Sequence, residues 1–321
     1  MELGNRLKNW AAFMGRTRRF FEAAGYTEVF PPSLVPAGAF EASIDCLEVT
    51  ARGHRWQLPS SPEMEMKHAL AQAPLPIFSI VRAYRDDPET NIHEREFQML
   101  EYYRVGDVYA GVVDETCRFI EAMNASAGAP SLAWKRLSLK DWFAERGLIL
   151  EQLDDLPAFA QAVRQTGLAQ PQTGDSWSDI FFRVFLEHGE RTLDPVTPTV
   201  VEDYPTRLSP LSQPHPEQPF YARRFEIYWQ GMEICNGCEE LLEPAALEAS
   251  WERQNLERIQ RGQQPHPRPT RLLEAAPRLP RSSGVAIGLE RLFLAVSRQA
   301  GDSGPYRLDA LTGIQPLTPR P

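Results

Sequence analysis

VRAYRDDPETNIHEREFQMLEYYR, residues 81–104, carries an apolar run that turns polar, a loop crowded with charge, and a returning run of alternating side chains. The first run, with the residues before it (IFSIVRAYRDD), predicts a strand, and REFQMLEYYRV predicts its partner, with Phe97, Met99 and Glu101 on one face. Arg82 and Arg85 thus fall at a strand end. A guanidinium there clamps a phosphate or carboxylate through two parallel hydrogen bonds, or serves in a structural ion pair. Phe97, across the loop, offers an aromatic face on which a base stacks.

A second arginine stands in SGVAIGLERLFLAV, residues 283–296. Gly284 and Gly288 let backbone approach a ligand, and Arg291 sits where a glycine-bearing strand or turn enters an apolar helix. Alone it reads as a helix-entry arginine paired with an acid. Working outward, residues 5–24 read as an amphipathic helix, with Leu7, Trp10, Ala11, Met14, Phe20 and Phe21 on its apolar face and Gly25 as C-cap. YTEVFPP reads as a short strand stopped by proline. HRWQLPSSPEMEMKHALA reads as a strand followed by a Ser-Pro-Glu helix start. Residues 110–128 predict a helix, 131–200 mostly helix, RRFEIYWQGMEICNGCEEL strand, and 244–262 a helix with a glycine stop. The pattern is α+β.

Composition narrows the function classes. Apolar residues make up 42% of the 321, charged residues 24%, and no apolar run approaches the ~20 residues of a membrane helix. The N-terminus lacks a signal-peptide pattern, and four cysteines are too few for a disulfide scaffold, so a cytoplasmic location is expected. A net charge of −9 gives no global attraction to nucleic acid or anionic lipid. One stretch differs. Between Trp251 and Arg281, seven arginines face three glutamates, about +4, which reads as a solvated helix and loop or as a docking patch for an acidic partner. Neither a G-x-x-x-x-G-K-[ST] loop nor a G-x-G-x-x-G fingerprint occurs, so phosphates would be held by arginines and bound metal. Cys235-x-x-Cys238 has the spacing of a metal or redox clip. On an extended strand residues three apart face opposite sides, which argues against it.

In order along the chain, FFEAAGYTEVFPP, YRDDPETNIHEREFQMLEYY and GVAIGLER resemble the three motifs of class II aminoacyl-tRNA synthetases. SPEMEMK, DYPTRLSPLSQ and RRFEIYWQGMEICNGCEEL resemble the lysyl type, and the likeness spans about residues 10–298. It implies one class II catalytic domain over 1–321, with a six- to seven-stranded antiparallel sheet flanked by helices. Motif 1 falls at about 10–32, motif 2 at 77–104, a helical insertion at 131–195 and motif 3 at 282–298. The first motif begins too early to leave room for an anticodon-binding domain. Ala286 replaces the middle glycine of G-x-G-x-G. This resembles the elongation factor P lysine ligases, which attach (R)-β-lysine to a lysine of elongation factor P.

The resemblance implies ATP and Mg²⁺, an aminoacyl-adenylate, a homodimer, and elongation factor P rather than tRNA as acceptor. A ligase acting on tRNA or a small acceptor, and a silent paralogue that binds an amino acid or partner, stay open. It carries over Arg85 and Arg291 as the catalytic arginines, on the α- and γ-phosphates. Glu240 and Tyr103 become receivers of the distal ammonium, Glu101 and Asn236 holders of the amino-acid end, and Ser61, Glu63 and Ala286 further substrate contacts. Asp87, His93, Glu94, Phe97, Glu233, Ile234 and Gly288 become ATP contacts, and Glu226 with Glu233 the metal pair. The chain departs from the pattern at Asp87, Glu94, Cys238 and Glu290, and in the acidic loop 87–91.

Overall fold

The structure, a computed structural model, describes residues 3–88, 90, 93–106 and 109–301; part of loop 87–91 and the C-terminal stretch lie outside them. The described strands are β1 (Thr27–Glu28), β2 (Glu48–Ala51), β3 (His54–Gln57), β4 (Ile77–Tyr84), β5 (Glu96–Val105), β6 (Lys135–Ser138), β7 (Thr199–Glu202), β8 (Arg224–Trp229), β9 (Met232–Glu239) and β10 (Ser282–Gly288). The helices are α1 (Leu3–Ala23), α2 (Glu63–Gln72), α3 (Tyr109–Ser126), α4 (Leu139–Ala144), α5 (Leu156–Thr166), α6 (Trp177–His188), α7 (Pro244–Gln260), α8 (Thr270–Ala275) and α9 (Leu289–Gln299).

Eight strands form one sheet in the order β1-β4-β5-β10-β9-β8-β7-β6. The six central strands are antiparallel, and each edge gains a short parallel strand, β1 on β4 and β6 on β7. The sequence reading thus had the antiparallel centre and undercounted the edges. Lys135–Ser138, inside a stretch read as mostly helical, is extended because its backbone pairs with Thr199–Glu202. The strand read at His54–Gln57 pairs with β2 in a separate hairpin.

One sheet face is covered by α1, α3 and α9 around an apolar core that includes Phe13, Phe21, Phe119, Ile287 and Leu292. α1 buries Phe13, Thr17 and Phe21, whereas Leu7 and Ala11 of the expected face are exposed. Gly25, at φ +84°, ends it as expected, with the Tyr26 N–H donating to the Phe21 carbonyl at 2.9 Å. On the opposite face α4–α6 close a second core around Phe143, Phe181 and Tyr228, and α2 and α8 pack beside them.

Register lines the site up. Ser79, Glu101, Ala286, Asn236, Glu226 and Val201 stand side by side across β4, β5, β10, β9, β8 and β7. The next such row is Ile77, Tyr103, Gly284, Cys238 and Arg224. Side chains of the two rows project to the same face.

Candidate active site

β9 carries the feature that sets the site's parity. Its pairing with β8 shifts register between Ile227 and Tyr228, opposite Cys235 and Glu233, leaving Ile234 as a bulge residue. Met232, Ile234 and Cys235 all lie in the apolar core. Asn236, Cys238 and Glu240 line a cavity on the other face, and the bulge brings Glu233 round to that side. The strand runs on through Asn236-Gly237 without the bend a clip would need. Cys235 sits under the sheet and Cys238 above it. Ile234, expected to contact ATP, has its side chain in the core, which leaves that contact to its backbone alone.

The cavity encloses about 110 Å³. Of the residues the sequence pointed to as substrate contacts, it brings together Ser61, Glu63, Glu101, Tyr103, Asn236, Glu240 and Ala286, with Arg85 at its wall. Tyr103 donates its hydroxyl to Glu101 Oε1 at 2.6 Å, while buried Glu101 Oε2 has no hydrogen-bond partner. Burial and the nearby Glu63 carboxylate raise the Glu101 pKa well above the carboxylate range. The methyl of Ala286 stands between Glu101 and Asn236 on the neighbouring strands. Gly284 is dictated by contact: a Cβ there would lie 2.5 Å from Glu240 Oε1 and 2.6 Å from Tyr103 Cε1.

Sequence reasoning missed Lys67. Its ammonium lies 2.5 Å from Glu240 Oε2 and 2.6 Å from Glu63 Oε1, and its side chain is only 2% exposed. The carboxylates hold it charged against the cost of burial, and Glu240 is itself pushed up to about 7 by burial. The signal was legible as Glu63-x-x-x-Lys67, one helical turn. Arg224 and Glu41 were missed as well. Arg224 is buried across the Tyr204 ring and donates to Glu226 Oε1 at 2.6 Å and to Asn236 Oδ1 at 3.3 Å.

The two catalytic candidates meet at the other end. Arg85 lies over the Phe97 ring, 5.4 Å from its centre. Arg291 donates to the Glu233 carbonyl at 2.9 Å, beside the Glu233 carboxylate at 3.7 Å. Both guanidinium groups act electrostatically on the same carboxylate, Glu233, and the same imidazole, His93. Burial and these charges lower the His93 pKa; its ring contacts the Thr90 hydroxyl at 2.9 Å. Asp87 faces His93 electrostatically. Gly288 ends β10 and caps α9, one turn before Arg291. Glu290 is not a ligand candidate: its carboxylate accepts the Gln98 N–H at 2.8 Å and pins α9 to β5, with Glu94 nearby.

The pair expected to hold metal is uneven. Glu226 is buried and accepts from Arg224, from Tyr204 at 2.5 Å and from Tyr228 at 2.7 Å. The Glu233 side chain is 40% exposed, and partial desolvation together with the Glu226 carboxylate pushes it up to about 7. Two carboxylates repelling each other across adjacent strands fit a divalent cation, with Glu233 as the open oxygen donor and Glu226 as its held neighbour.

The chain matches the family of tRNA synthetases class II (D, K and N) over residues 1–300. It belongs to this family. Among its relatives are the elongation factor P–(R)-β-lysine ligases of Enterobacter sp. strain 638, 30% identical with 88% of each chain covered, and of Vibrio cholerae serotype O1, 27% identical with 90% of each covered. An Aquifex aeolicus protein named as a homolog of that ligase is 28% identical, over 89% of this chain and 94% of its own. The class II membership accords with the antiparallel centre of the sheet. No described helix is long and apolar enough to cross a membrane.

Proposed function

We propose that this protein is an ATP-dependent, AMP-forming ligase that activates lysine or (R)-β-lysine as the aminoacyl-adenylate and passes it to a lysine side chain of elongation factor P. One observation carries the reading. Glu63, Glu101 and Glu240 gather at one end of the cavity, with the Lys67 ammonium held between Glu63 and Glu240. A desolvated cluster of three carboxyl groups beside one ammonium favours a ligand that brings further ammonium groups, as a diamino acid does. Tyr103 and Glu240 receive the distal ammonium, and Glu101 and Asn236 the other. The substrate carboxylate then lies toward Arg85 and attacks the α-phosphorus in line.

Arg85 neutralises the α-phosphate and Arg291 the γ-phosphate. The adenine stacks on Phe97, and His93, Asp87, Glu94, Gly288 and the Ile234 backbone line the nucleotide. Glu226 and Glu233 hold Mg²⁺, which when bound neutralises phosphate charge. No side chain acts as nucleophile; positioning and charge neutralisation do the work. The methyl of Ala286, between Glu101 and Asn236, favours an amine shifted by one carbon, a discrimination of ~1–3 kcal/mol. We place the enzyme in the cytoplasm as a homodimer formed through motif 1; Phe30 (83% exposed) and Leu34 (46%) support that interface. The Arg-rich stretch 251–281 is a poor candidate for holding the acceptor, because Arg258, Arg261, Arg268, Arg271 and Arg281 are all ion-paired within the chain.

ATP–pyrophosphate exchange across a panel of amino acids, followed by transfer to elongation factor P and to tRNA, tests the proposal. Exchange with lysine or β-lysine and labelling of elongation factor P are expected. Labelling of tRNA alone, or no exchange with any amino acid, refutes it.

A further inference from the structure

A second cavity, of about 170 Å³, adjoins the first and shares Glu41, Pro210 and Arg224 with it. Its far walls are Ser178 and Asp179 of α6 and Gln254 and Glu257 of α7, and Ser43 lies at the loop between. The walls are built. Gln254 accepts the Ala42 N–H at 2.8 Å. Arg258 donates to the Ala42 and Ile44 carbonyls and, at 2.6 Å, to Asp45. Arg261 bridges Asp179 at 3.1 Å and Glu257 at 2.7 Å, tying α6 to α7. Among the charges lining this space, Arg224 is paired with Glu226, Arg207 with Asp154, and Arg261 with both acids. Among the described residues, no hydrogen bond or ion pair holds the Glu41 carboxylate.

We propose that this second cavity admits the acceptor lysine side chain, and that Glu41, at the junction of the two cavities, takes the proton from its ammonium. The inference rests on the ligase reading above. The sheet floor of the first cavity takes the amino acid, and its Arg85 end takes the nucleotide. An acceptor must therefore arrive from a third side, and the adjoining cavity reaches the same space. A lysine ammonium is not a nucleophile until it is deprotonated. Glu41 accepts one proton, and the freed lone pair forms the C–N bond at the adenylate carbonyl. The bond from that carbon to the phosphate oxygen then breaks, its electron pair leaving with AMP. The remaining excess proton on nitrogen passes to water. Burial raises the Glu41 pKa, with Arg224 and Glu226 of β8, Glu63 of α2 and Arg85 facing it, which suits a base that must hold a proton.

Two sets of variants of the full chain test this. Ser43→Trp and Ser178→Trp fill the second cavity, and Glu41→Gln removes the base. Preformed lysyl- or β-lysyl-adenylate is offered elongation factor P or hydroxylamine, a small amine that needs no deprotonation at neutral pH. Exchange is measured alongside. The tryptophan variants should lower transfer to elongation factor P about 100-fold relative to exchange. Glu41→Gln should shift partition toward hydroxylamine by about 100-fold and abolish the acid limb of the transfer pH profile. Transfer keeping pace with exchange in both tryptophan variants, or an unchanged partition and pH profile in Glu41→Gln, overturns the inference. Wild-type protein that exchanges neither lysine nor β-lysine, or never labels elongation factor P, overturns the ligase reading instead.

Discussion

Replacing Lys67 by methionine asks whether the buried ammonium belongs to the site's charge balance or only to its packing. The chain length of the side chain is kept and its charge removed. Lys67 is 2% exposed, Glu240 3% and Glu63 25%, so solvent screens the Lys67–Glu240 contact hardly at all. Breaking a buried pair by deleting one partner costs ~3–5 kcal/mol. An unfolding entropy of about 2.1 cal/mol/K per residue gives ~0.7 kcal/mol/K for 321 residues, so the loss corresponds to a Tm fall of ~4–7 °C. The sign against pH is also fixed. Glu240 is raised to about 7 from its unfolded value of 4.5, so its contribution is fully present below 4.5 and lost as pH rises through 7. Without Lys67 the carboxylate resists ionisation further, and the deficit of the variant should grow from pH 6 to pH 8. Lys67→Met/Glu240→Gln, which leaves no buried unpaired charge at this contact, should recover part of the loss. Scanning calorimetry at several pH values reads all three quantities. A Tm within about 1 °C of wild type for Lys67→Met, or a double variant as unstable as the two single losses added together, refutes the reasoning.

Other perturbations follow from the same geometry. Gly284→Ala should push Glu240 and Tyr103 apart, costing ~1–3 kcal/mol of stability, and lower amino-acid-dependent exchange far more than it raises the KM for ATP. A Tm and exchange rate equal to wild type would show that the two side chains move freely. Arg258→Met should destabilise by ~1–3 kcal/mol and open loop 41–45 to proteolysis, because three backbone carbonyls and Asp45 lose their donor. Glu290 is raised to about 7, so its stability contribution is lost as pH rises from 4.5 through 7. Glu290→Gln should therefore gain on wild type between pH 5 and pH 8 in denaturant titrations, and a pH-independent difference would contradict the burial argument. The ionised form of Glu240 binds the substrate ammonium, so amino-acid affinity should rise up to about tenfold per unit below pH 7 and level off above it, read as KM in the exchange assay.

The main strands of the site were legible because their chemistry agrees with their period. In β5 the alternation Phe97, Met99, Glu101 reads the same in the sequence and on the sheet, and pairing with β10 sets Ala286 and Gly284 beside Glu101 and Tyr103. Of the edge strands, β1 falls within YTEVFPP and was legible, whereas β6 was not, since its four residues are extended through pairing rather than composition. The face of α1 was misjudged at Leu7 and Ala11, where helical spacing alone does not say which apolar stripe the partner covers. Lys67 was visible as a helical i,i+4 pair but ordinary as one. Its importance comes from Glu240, 173 positions away along the chain, which no local pattern reports.

The bulge in β9 sets the parity of the site. On a regular strand Glu233 and Asn236, three apart, face opposite sides, the same argument that rightly separated Cys235 from Cys238. One extra residue reverses parity between Glu233 and Asn236 while leaving the stretch from Cys235 to Cys238 regular. Glu233 therefore joins Glu226 and Arg291 on the face that also carries Asn236, and Ile234 turns its side chain into the core. A strand without the bulge would place the Glu233 carboxylate among Ile227, Trp229 and Leu292, where no cation reaches it. The irregularity is thus what lets one strand serve two ends of the site, the amino-acid cavity through Asn236, Cys238 and Glu240, and the arginine-lined end through Glu233.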